Sequence, residues 1–192
     1  MDRVTDRPDA VPDAASATAN RVRLLAVIAA TVLVADIITK TIAVTELEGR
    51  EPVRILGGLI YLQLLRNPGA AFSMATGFTW ILSVIAIAVV VVIVRVARRL
   101  RSTGWAIALG LVLGGALGNL MDRIFRAPRP LSGHVVDMVS PFAPNGEAFA
   151  VFNLADSAIT CGGALLVLLA LLGYELDGTK ARGNLGKEPA GE

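Results

Sequence analysis

Two aspartates are distinguished by the absence of a basic partner nearby in the chain. Asp137 lies in VVDMV and Asp156 in NLADSA, and no Lys or Arg stands within four residues of either. Apolar surroundings raise the pKa of a carboxyl group, and two carboxyls that share a site do not both ionise readily. An aspartic peptidase uses one ionised carboxyl to take a proton from water and one protonated carboxyl to hydrogen-bond the carbonyl under attack. The pattern favours this catalytic role over a structural one.

Other polar residues occur at the ends of apolar segments, where an ionisable group costs about 2.5–3.5 kcal/mol at full membrane depth. Each has a structural alternative. Asp36 with Lys40 fits an ion pair at the membrane interface, and Asp122 with Arg123 fits charges that reach out from a helix end to water. Asn153 fits a helix N-cap. The polar residues grouped in this way are Asp36, Lys40, Asn119, Asp122, Arg123 and Asn153.

Four apolar segments are long enough to position these groups in a membrane, since about twenty residues cross the hydrocarbon core. They cover residues 24–44, 78–97, 104–121 and 151–174 of a chain that is 54% hydrophobic. The third is the shortest and carries Gly110, Gly114 and Gly118 on one face, a pattern typical of close helix contact. We expect the other helices to pack around it.

The connections predict a small β element and disordered tails. Residues 53–74 alternate strand-like stretches with Gly-Gly and Asn-Pro-Gly, which predicts a turn near Asn67, and residues 134–139 fit another short strand. The predicted fold is an all-α membrane protein of four transmembrane helices with a small extracytoplasmic β element between helices 1 and 2. Residues 21–176 form the predicted membrane domain, and the polar tails 1–20 and 177–192 are predicted to be disordered.

Basic residues predict the orientation of the chain. Because Lys and Arg in short loops resist translocation, the segments that carry them are expected in the cytoplasm. Both termini are therefore predicted to be cytoplasmic, and the connections 45–77 and 122–150 are predicted to face the other side. The basic residues that lead to this prediction are Arg21, Arg23, Arg95, Arg98, Arg99, Arg101, Lys180 and Arg182.

Composition argues against several classes of function. The arginines adjoin apolar runs and lack interleaved aromatics, so no nucleic-acid partner is expected. The only histidine, His134, and the only cysteine, Cys161, cannot build a zinc site by themselves, and no metal or cofactor is expected. Cys161 is interpreted as a small residue packed between helices.

Five blocks of sequence, in this order and spacing, resemble the motifs of the bacterial lipoprotein signal peptidases, also called signal peptidase II. The third block adjoins the glycine run of the third apolar segment. The blocks are DIITK (36–40), NPGAAFS (67–73), GGALGNLMDR (114–123), VVD ending at Asp137, and FNLAD (152–156).

This resemblance implies an aspartic endopeptidase of the bacterial cytoplasmic membrane that acts on lipid-modified prolipoproteins in contact with membrane lipid. It would cleave just before the cysteine that carries diacylglyceryl, at the extracytoplasmic face, with Asp137 and Asp156 as catalytic residues. The β element would hold substrate, and the glycines of the third helix would leave room beside the signal segment. Matching substrate-binding or supporting positions are Asp36, Lys40, Asn67, Gly69, Asn119, Asp122, Arg123, Asn153 and Ala155.

Three other interpretations fit parts of the pattern. A small proton-coupled transporter also carries charges in its helices, although four helices without a repeated half argue against it. A Ser-Lys peptidase would use Lys40 with Ser73 or Ser157. A membrane scaffold without catalysis would tolerate replacement of the polar clusters.

Overall fold

The computed structural model describes residues 14–69 and 79–180, and within these ranges it has four helices that are long and apolar enough to cross a membrane. This confirms the predicted helical fold. The helices are α1 (Ala14–Leu47), α2 (Thr79–Ala97), α3 (Thr103–Phe125) and α4 (Leu154–Leu171).

The prediction that the third helix is the shortest was wrong. With 23 residues, α3 is longer than α2 with 19 and α4 with 18. The third segment was predicted to end at residue 121 because the charged residues Asp122 and Arg123 follow it. Both side chains are instead buried against other polar groups, so the helix continues to Phe125.

Glycines let α3 pack closely against α1 and α4, and more than half of its apolar span is buried. A Cβ added at Gly110 would lie 3.0 Å from the side chain of Ile28, and one at Gly114 would lie 2.7 Å from that of Val32. A Cβ at Gly115 would collide with the backbone oxygen of Ala155 on α4. The central position of α3 is thus confirmed, but the glycines do not leave room for a substrate helix, because α1 and α4 fill that space.

Three antiparallel strands lie at one end of the helices: β1 (Val53–Ile55), β2 (Ile60–Asn67) and β3 (Val135–Pro141), in the order β1-β2-β3. The predicted β element between helices 1 and 2 supplies β1 and β2. The strand predicted at 134–139 becomes β3 and joins the same sheet, with Asp137 opposite Leu65. Val136 and Met138 of β3 pack with Ala43 of α1, which fixes the sheet to the helices.

A turn follows β2 as predicted, since the Gly69 amide donates to Asn67 Oδ1 at 3.0 Å. The rest of the NPGAAFS block, residues 70–73, lies outside the described residues.

The arginine-bearing segments meet at the opposite end from the sheet. Arg21 Nε donates to the Arg101 carbonyl at 3.2 Å, and the amides of Arg101 and Ser102 donate to the Leu176 carbonyl at 3.0 and 3.1 Å. Trp105 Nε1 donates to the Tyr174 carbonyl at 2.9 Å.

Short segments of the two predicted tails are ordered into a helix and a turn at this arginine-bearing end of the helices. Residues 14–20 are helical, in keeping with the helix propensity of their alanines. Residues 177–180 form a turn closed by the bridge between Tyr174 and Lys180. Residues 1–13 and 181–192 lie outside the described residues.

Candidate active site

Asp137 is held on β3 with its side chain out of contact with bulk solvent. The residue is 1% exposed, and both of its carboxyl oxygens accept hydrogen bonds from amide groups. Asn67 Nδ2, at the end of the neighbouring strand β2, donates to Oδ2 at 2.9 Å. Asn153 Nδ2 donates to Oδ1 at 2.7 Å. Strand pairing therefore brings Asn67 to Asp137 across seventy residues of sequence.

Asp156 lies in the first turn of α4, where it forms a reciprocal cap with Asn153. Asn153 Oδ1 accepts from the Asp156 amide at 2.9 Å, and Asp156 Oδ2 accepts from the Asn153 amide at 3.2 Å. The N-cap interpretation of Asn153 is confirmed. It does not compete with a role at the site, because the free end of the same side chain contacts Asp137.

Asn119 of α3 completes a chain of hydrogen bonds between the two aspartates. Its Nδ2 donates to Asp156 Oδ1 at 2.7 Å, and its Oδ1 accepts from Asn153 Nδ2 at 3.2 Å. Asn153 in turn donates to Asp137. Two carboxyl groups from different elements are thereby joined through two amides.

Lys40 lies behind this chain in a buried ionic cluster. Its Nζ is 2.7 Å from Asp36 Oδ2, 3.0 Å from Asp122 Oδ2 and 3.0 Å from Asn119 Oδ1. The predicted ion pair between Asp36 and Lys40 is confirmed, but at 0% and 1% exposed the two residues are buried within the protein rather than open to its surface. Asp36 Oδ1 also accepts from the Ala155 amide at 3.0 Å, which ties α1 to the start of α4.

Asp122 and Arg123 do not reach out to water as charges at a helix end often do. Asp122 accepts from the Val136 amide at 3.1 Å and pairs with Arg126 Nε. Arg123 is 8% exposed, and its Nη1 has no hydrogen-bond partner among the described residues. Arg126 was missed in the sequence, although it follows Asp122 by four residues, the same acid-before-base spacing that identified Asp36 and Lys40.

A cavity of about 550 Å³ opens onto these groups. Its polar lining includes Asn67, Asn119, Arg123, Asp137 and Asp156. Apolar residues that sequence reasoning did not assign to the site complete it, and no polar pattern pointed to them. They include Val135, Phe149, Val151, Phe152 and Cys161. Cys161 was expected to pack between helices, but it is exposed and faces the cavity, because an apolar run does not show which helix face is buried.

Burial sets the electrostatics of Asp137. Desolvation raises its pKa to about 7, and the charge of Asp156 adds to this effect. Hydrogen bonds from Asn67 and Asn153 and the charge of Lys40 act in the opposite direction. No Lys or Arg of the described residues lies within salt-bridge distance of Asp137 or Asp156. The carboxyl of Asp137 can therefore gain and lose a proton near neutral pH.

The geometry does not fit a Ser-Lys pair. The Lys40 ammonium is directed at two carboxylates and an amide oxygen, and Ser157 Oγ donates to the Asn153 carbonyl at 3.1 Å. Ser73 lies outside the described residues. Over the part of the chain that is described, no three His, Cys, Asp or Glu side chains are grouped so as to hold a metal ion.

Four helices of membrane-spanning length and a small sheet bring two linked carboxyls, Asp137 of β3 and Asp156 of α4, to one cavity, which is the arrangement expected of an aspartic peptidase embedded in a membrane. The family model described as signal peptidase (SPase) II matches residues 28–172, and the chain belongs to this family. It is thus a multi-pass membrane protein and a peptidase, and the comparisons give no support to a transporter.

Similar proteins agree with this assignment. A protein of Rhodococcus jostii named lipoprotein signal peptidase is 52% identical over 179 residues, which cover 93% of this chain and 88% of that protein. One of Mycobacterium avium with the same name is 53% identical and covers 82% of this chain and 84% of its own. A solved bacterial membrane enzyme superposes with a TM-score of 0.67 at 26% identity, covering 84% of this chain and 93% of the other.

Proposed function

We propose that this peptidase removes the signal peptide from bacterial prolipoproteins, with Asp137 and Asp156 as its catalytic residues. The substrate class is supported by the names of its relatives, which are lipoprotein signal peptidases. One observation carries the residue assignment. Both carboxyls line the same cavity and are joined through amides, whereas the two neighbouring acids Asp36 and Asp122 are in ion pairs.

Asp137 is the proposed acid and Asp156 the proposed base. Burial raises the pKa of Asp137 to about 7, which favours its protonated form. Asp156 lies at the positive end of α4 and accepts a capping amide, which favours a negative charge there. One proton on the pair also balances the charge of the cluster, because the four acids Asp36, Asp122, Asp137 and Asp156 adjoin the three cations Lys40, Arg123 and Arg126.

In the proposed reaction, Asp156 takes a proton from water as the oxygen attacks the scissile carbonyl. The Asp137 proton passes to the carbonyl oxygen, which gives a neutral tetrahedral intermediate. Collapse of this intermediate breaks the C–N bond. The leaving amine takes the proton from Asp156, and the gem-diol returns a proton to Asp137 as the new carboxyl forms. Both aspartates end in their starting states.

The shape of the cavity supports an acyl-modified substrate. Thr160 and Cys161 also line it, so it extends along α4 by about five residues, or roughly 7 Å, beyond Asp156. Apolar walls beside a polar centre suit a peptide whose cysteine carries diacylglyceryl, with the acyl chains against the helices.

We further propose that the site faces the extracytoplasmic side and that residues 21–176 form the peptidase domain between cytoplasmic tails. The gathering of arginines at the end opposite the sheet supports this orientation. A fluorescent protein that matures only in the cytoplasm, fused after Glu192, should fluoresce. A dark fusion with normal peptidase activity would contradict the orientation and leave the catalytic proposal intact.

The remaining motif residues are proposed to bind substrate or to position the pair. Asn67, Asn119 and Arg123 line the cavity, and the buried Asn153 positions Asp137 and Asp156 through its side chain. Asp36, Lys40 and Asp122 support them from behind. Gly69 and Ala155 contribute backbone amides, which donate to Asn67 and Asp36.

The catalytic proposal is tested with purified protein and a diacylglyceryl-modified prolipoprotein whose conversion is followed by gel shift. Asp137→Asn and Asp156→Asn should each lower the rate by at least about a thousandfold while the protein still inserts and folds. Asp177→Asn, which changes an exposed acid in the Tyr174–Lys180 turn, is the matched control and should keep full activity. Processing by the Asp156→Asn protein would overturn the assignment. The same substrate without lipid should be converted much more slowly.

A further inference from the structure

A second cavity, of about 730 Å³, lies at the end of the helices opposite the active site. Its lining brings together Arg23 of α1 with Arg98 and Arg101 of the turn between α2 and α3. These segments are more than seventy residues apart, and Arg21 Nε holds them together by donating to the Arg101 carbonyl. The apolar floor includes Val22 and Ala26. The cavity is thus assembled by the fold from two separate parts of the chain.

The three arginines that line this cavity have no counter-ion in contact among the described residues. Within the described residues, no acid lies at salt-bridge distance from Arg23, Arg98 or Arg101. Asp177 acts on Arg101 only through longer-range attraction, and no acid lines the cavity. Like charges so arranged repel each other, and an anion between them would relieve that repulsion. Guanidinium forks match the geometry of phosphate oxygens.

The depth of the cavity indicates the source of such an anion. The apolar span of α1 starts at Thr18, so Arg23 lies in its second turn and Ala26 in its third, close to the level of lipid headgroups. Arg23 precedes Asp36 by 13 residues of continuous helix, about 20 Å along the axis, so this cavity is separate from the catalytic one. Ala26 of this floor lies three residues deeper along α1 than Arg23, so apolar surface continues below the cations as it does in a phospholipid.

We propose that this cavity binds an anionic membrane phospholipid, with the phosphate between Arg23, Arg98 and Arg101 and the upper acyl chain against Val22 and Ala26. Basic pockets between transmembrane helices are known to bind anionic headgroups. A free phosphate would satisfy the arginines but would leave the apolar floor uncovered.

Native mass spectrometry of the purified full-length protein, titrated with phosphatidylglycerol or phosphatidylcholine, tests the proposal. Arg23→Gln should weaken phosphatidylglycerol binding about fivefold, and Arg98→Gln with Arg101→Gln should weaken it about 25-fold, since each basic residue contributes about 1 kcal/mol. Arg95→Gln with Arg99→Gln is the matched control. It removes the same charge from the end of α2 and the turn that follows it, at residues that do not line the cavity, and should change binding less than twofold.

Several results would overturn the proposal. If the cavity variant (Arg98→Gln with Arg101→Gln) and the control variant (Arg95→Gln with Arg99→Gln) lose binding equally, the lipid responds only to diffuse surface charge. If phosphatidylcholine binds as tightly as phosphatidylglycerol, the cavity does not recognise the anion. Displacement of the lipid by glycerol phosphate at equal concentration would identify a site for free phosphate. Lipid binding that appears only after removal of residues 181–192 would mean that the chain itself fills the cavity. Peptidase activity is not used as the readout, so failure here would not affect the proposed function.

Discussion

The Lys40 ammonium lies 3.0 Å from Oδ1 of Asn119 and thereby fixes which end of that amide faces Asp156. An ammonium group only donates hydrogen bonds, so the amide oxygen must face Lys40. The amide nitrogen then points at Asp156 Oδ1, 2.7 Å away. Without a hydrogen bond to either proposed catalytic carboxyl, Lys40 sets the direction of the hydrogen bonds that join them.

We expect Lys40 to act on turnover rather than on substrate affinity. Lys40→Met alone should be strongly destabilising, by about 3–5 kcal/mol, because the fully buried Asp36 loses its cation. Asp36→Asn with Lys40→Met removes both charges and should restore much of that stability. The Asn119 amide can then rotate, and kcat should fall about 10- to 100-fold with little change in KM.

Thermal unfolding and gel-shift kinetics on the single and double variants separate these two effects. Lys180→Met, at the far end of the molecule, is the control for loss of a positive charge. A double variant that folds and keeps the kcat of the parent protein would show that Lys40 has only a structural role.

The sequence was sufficient to predict the elements and most of the polar residues that the structure brings together, but not the contacts between them. Apolar length identifies α1 to α4, and the glycine spacing of α3 identifies its close-packed face. The pairing of Asn67 with Asp137 depends on β2 and β3 joining one sheet, and no local pattern specifies that register.

Burial was the property that sequence reasoning handled least well. Asp36, Asp122 and Arg123 were weighed as groups near the membrane interface because charge alone suggests contact with water. Asp36 and Asp122 are buried because each accepts a backbone amide from another element, that of Ala155 and that of Val136 respectively, at distances in sequence that periodicity cannot detect. Arg123 is buried beside the cavity, with no hydrogen-bond partner for its Nη1 among the described residues. The ion pair of Arg126 with Asp122 is different, because the four-residue spacing that predicts it is visible in the sequence.

The pH dependence of the peptidase should report the proton on Asp137. Burial raises the pKa of this acid to about 7, so kcat/KM should fall above about pH 7 as the proposed acid ionises. Asn67 donates to the carboxyl and favours its ionised form, which lowers the pKa. Asn67→Ala should therefore move the falling limb to higher pH, whatever it does to the maximal rate.

Gel-shift rates at low substrate concentration between pH 5 and 9 give this profile. Asp177→Asn should leave the limb where it is, as a control for a remote change of charge. A limb that moves to lower pH in Asn67→Ala, or does not move, would contradict the assignment of Asp137 as the acid.

Two glycines offer a matched test of helix packing. A Cβ at Gly118 of α3 would lie 2.5 Å from Asp36 Oδ2, whereas one at Gly163 of α4 would meet no atom within 4 Å. Gly118→Ala should lower the free energy of unfolding by about 1–3 kcal/mol and impair activity, because the displaced Asp36 also holds the start of α4. Gly163→Ala should be neutral or stabilising by up to about 1 kcal/mol. Equal unfolding midpoints for the two variants would show that α1 can move away from α3.

Arg123 should act on substrate binding with little cost to the fold. Its Nη1 is buried without a hydrogen-bond partner among the described residues, and the side chain lines the cavity that holds Asp137 and Asp156. A buried donor without a partner is unfavourable in the free enzyme and gains a bond when a substrate carbonyl arrives. Arg123→Gln should therefore raise KM by about tenfold or more.

Arg126→Gln is the contrasting variant, since it breaks the ion pair with Asp122. Compared with Arg123→Gln, it should lower the free energy of unfolding more and raise KM less. Unfolding midpoints and full kinetic curves measure both quantities, and an unchanged KM in Arg123→Gln would remove this arginine from the binding site.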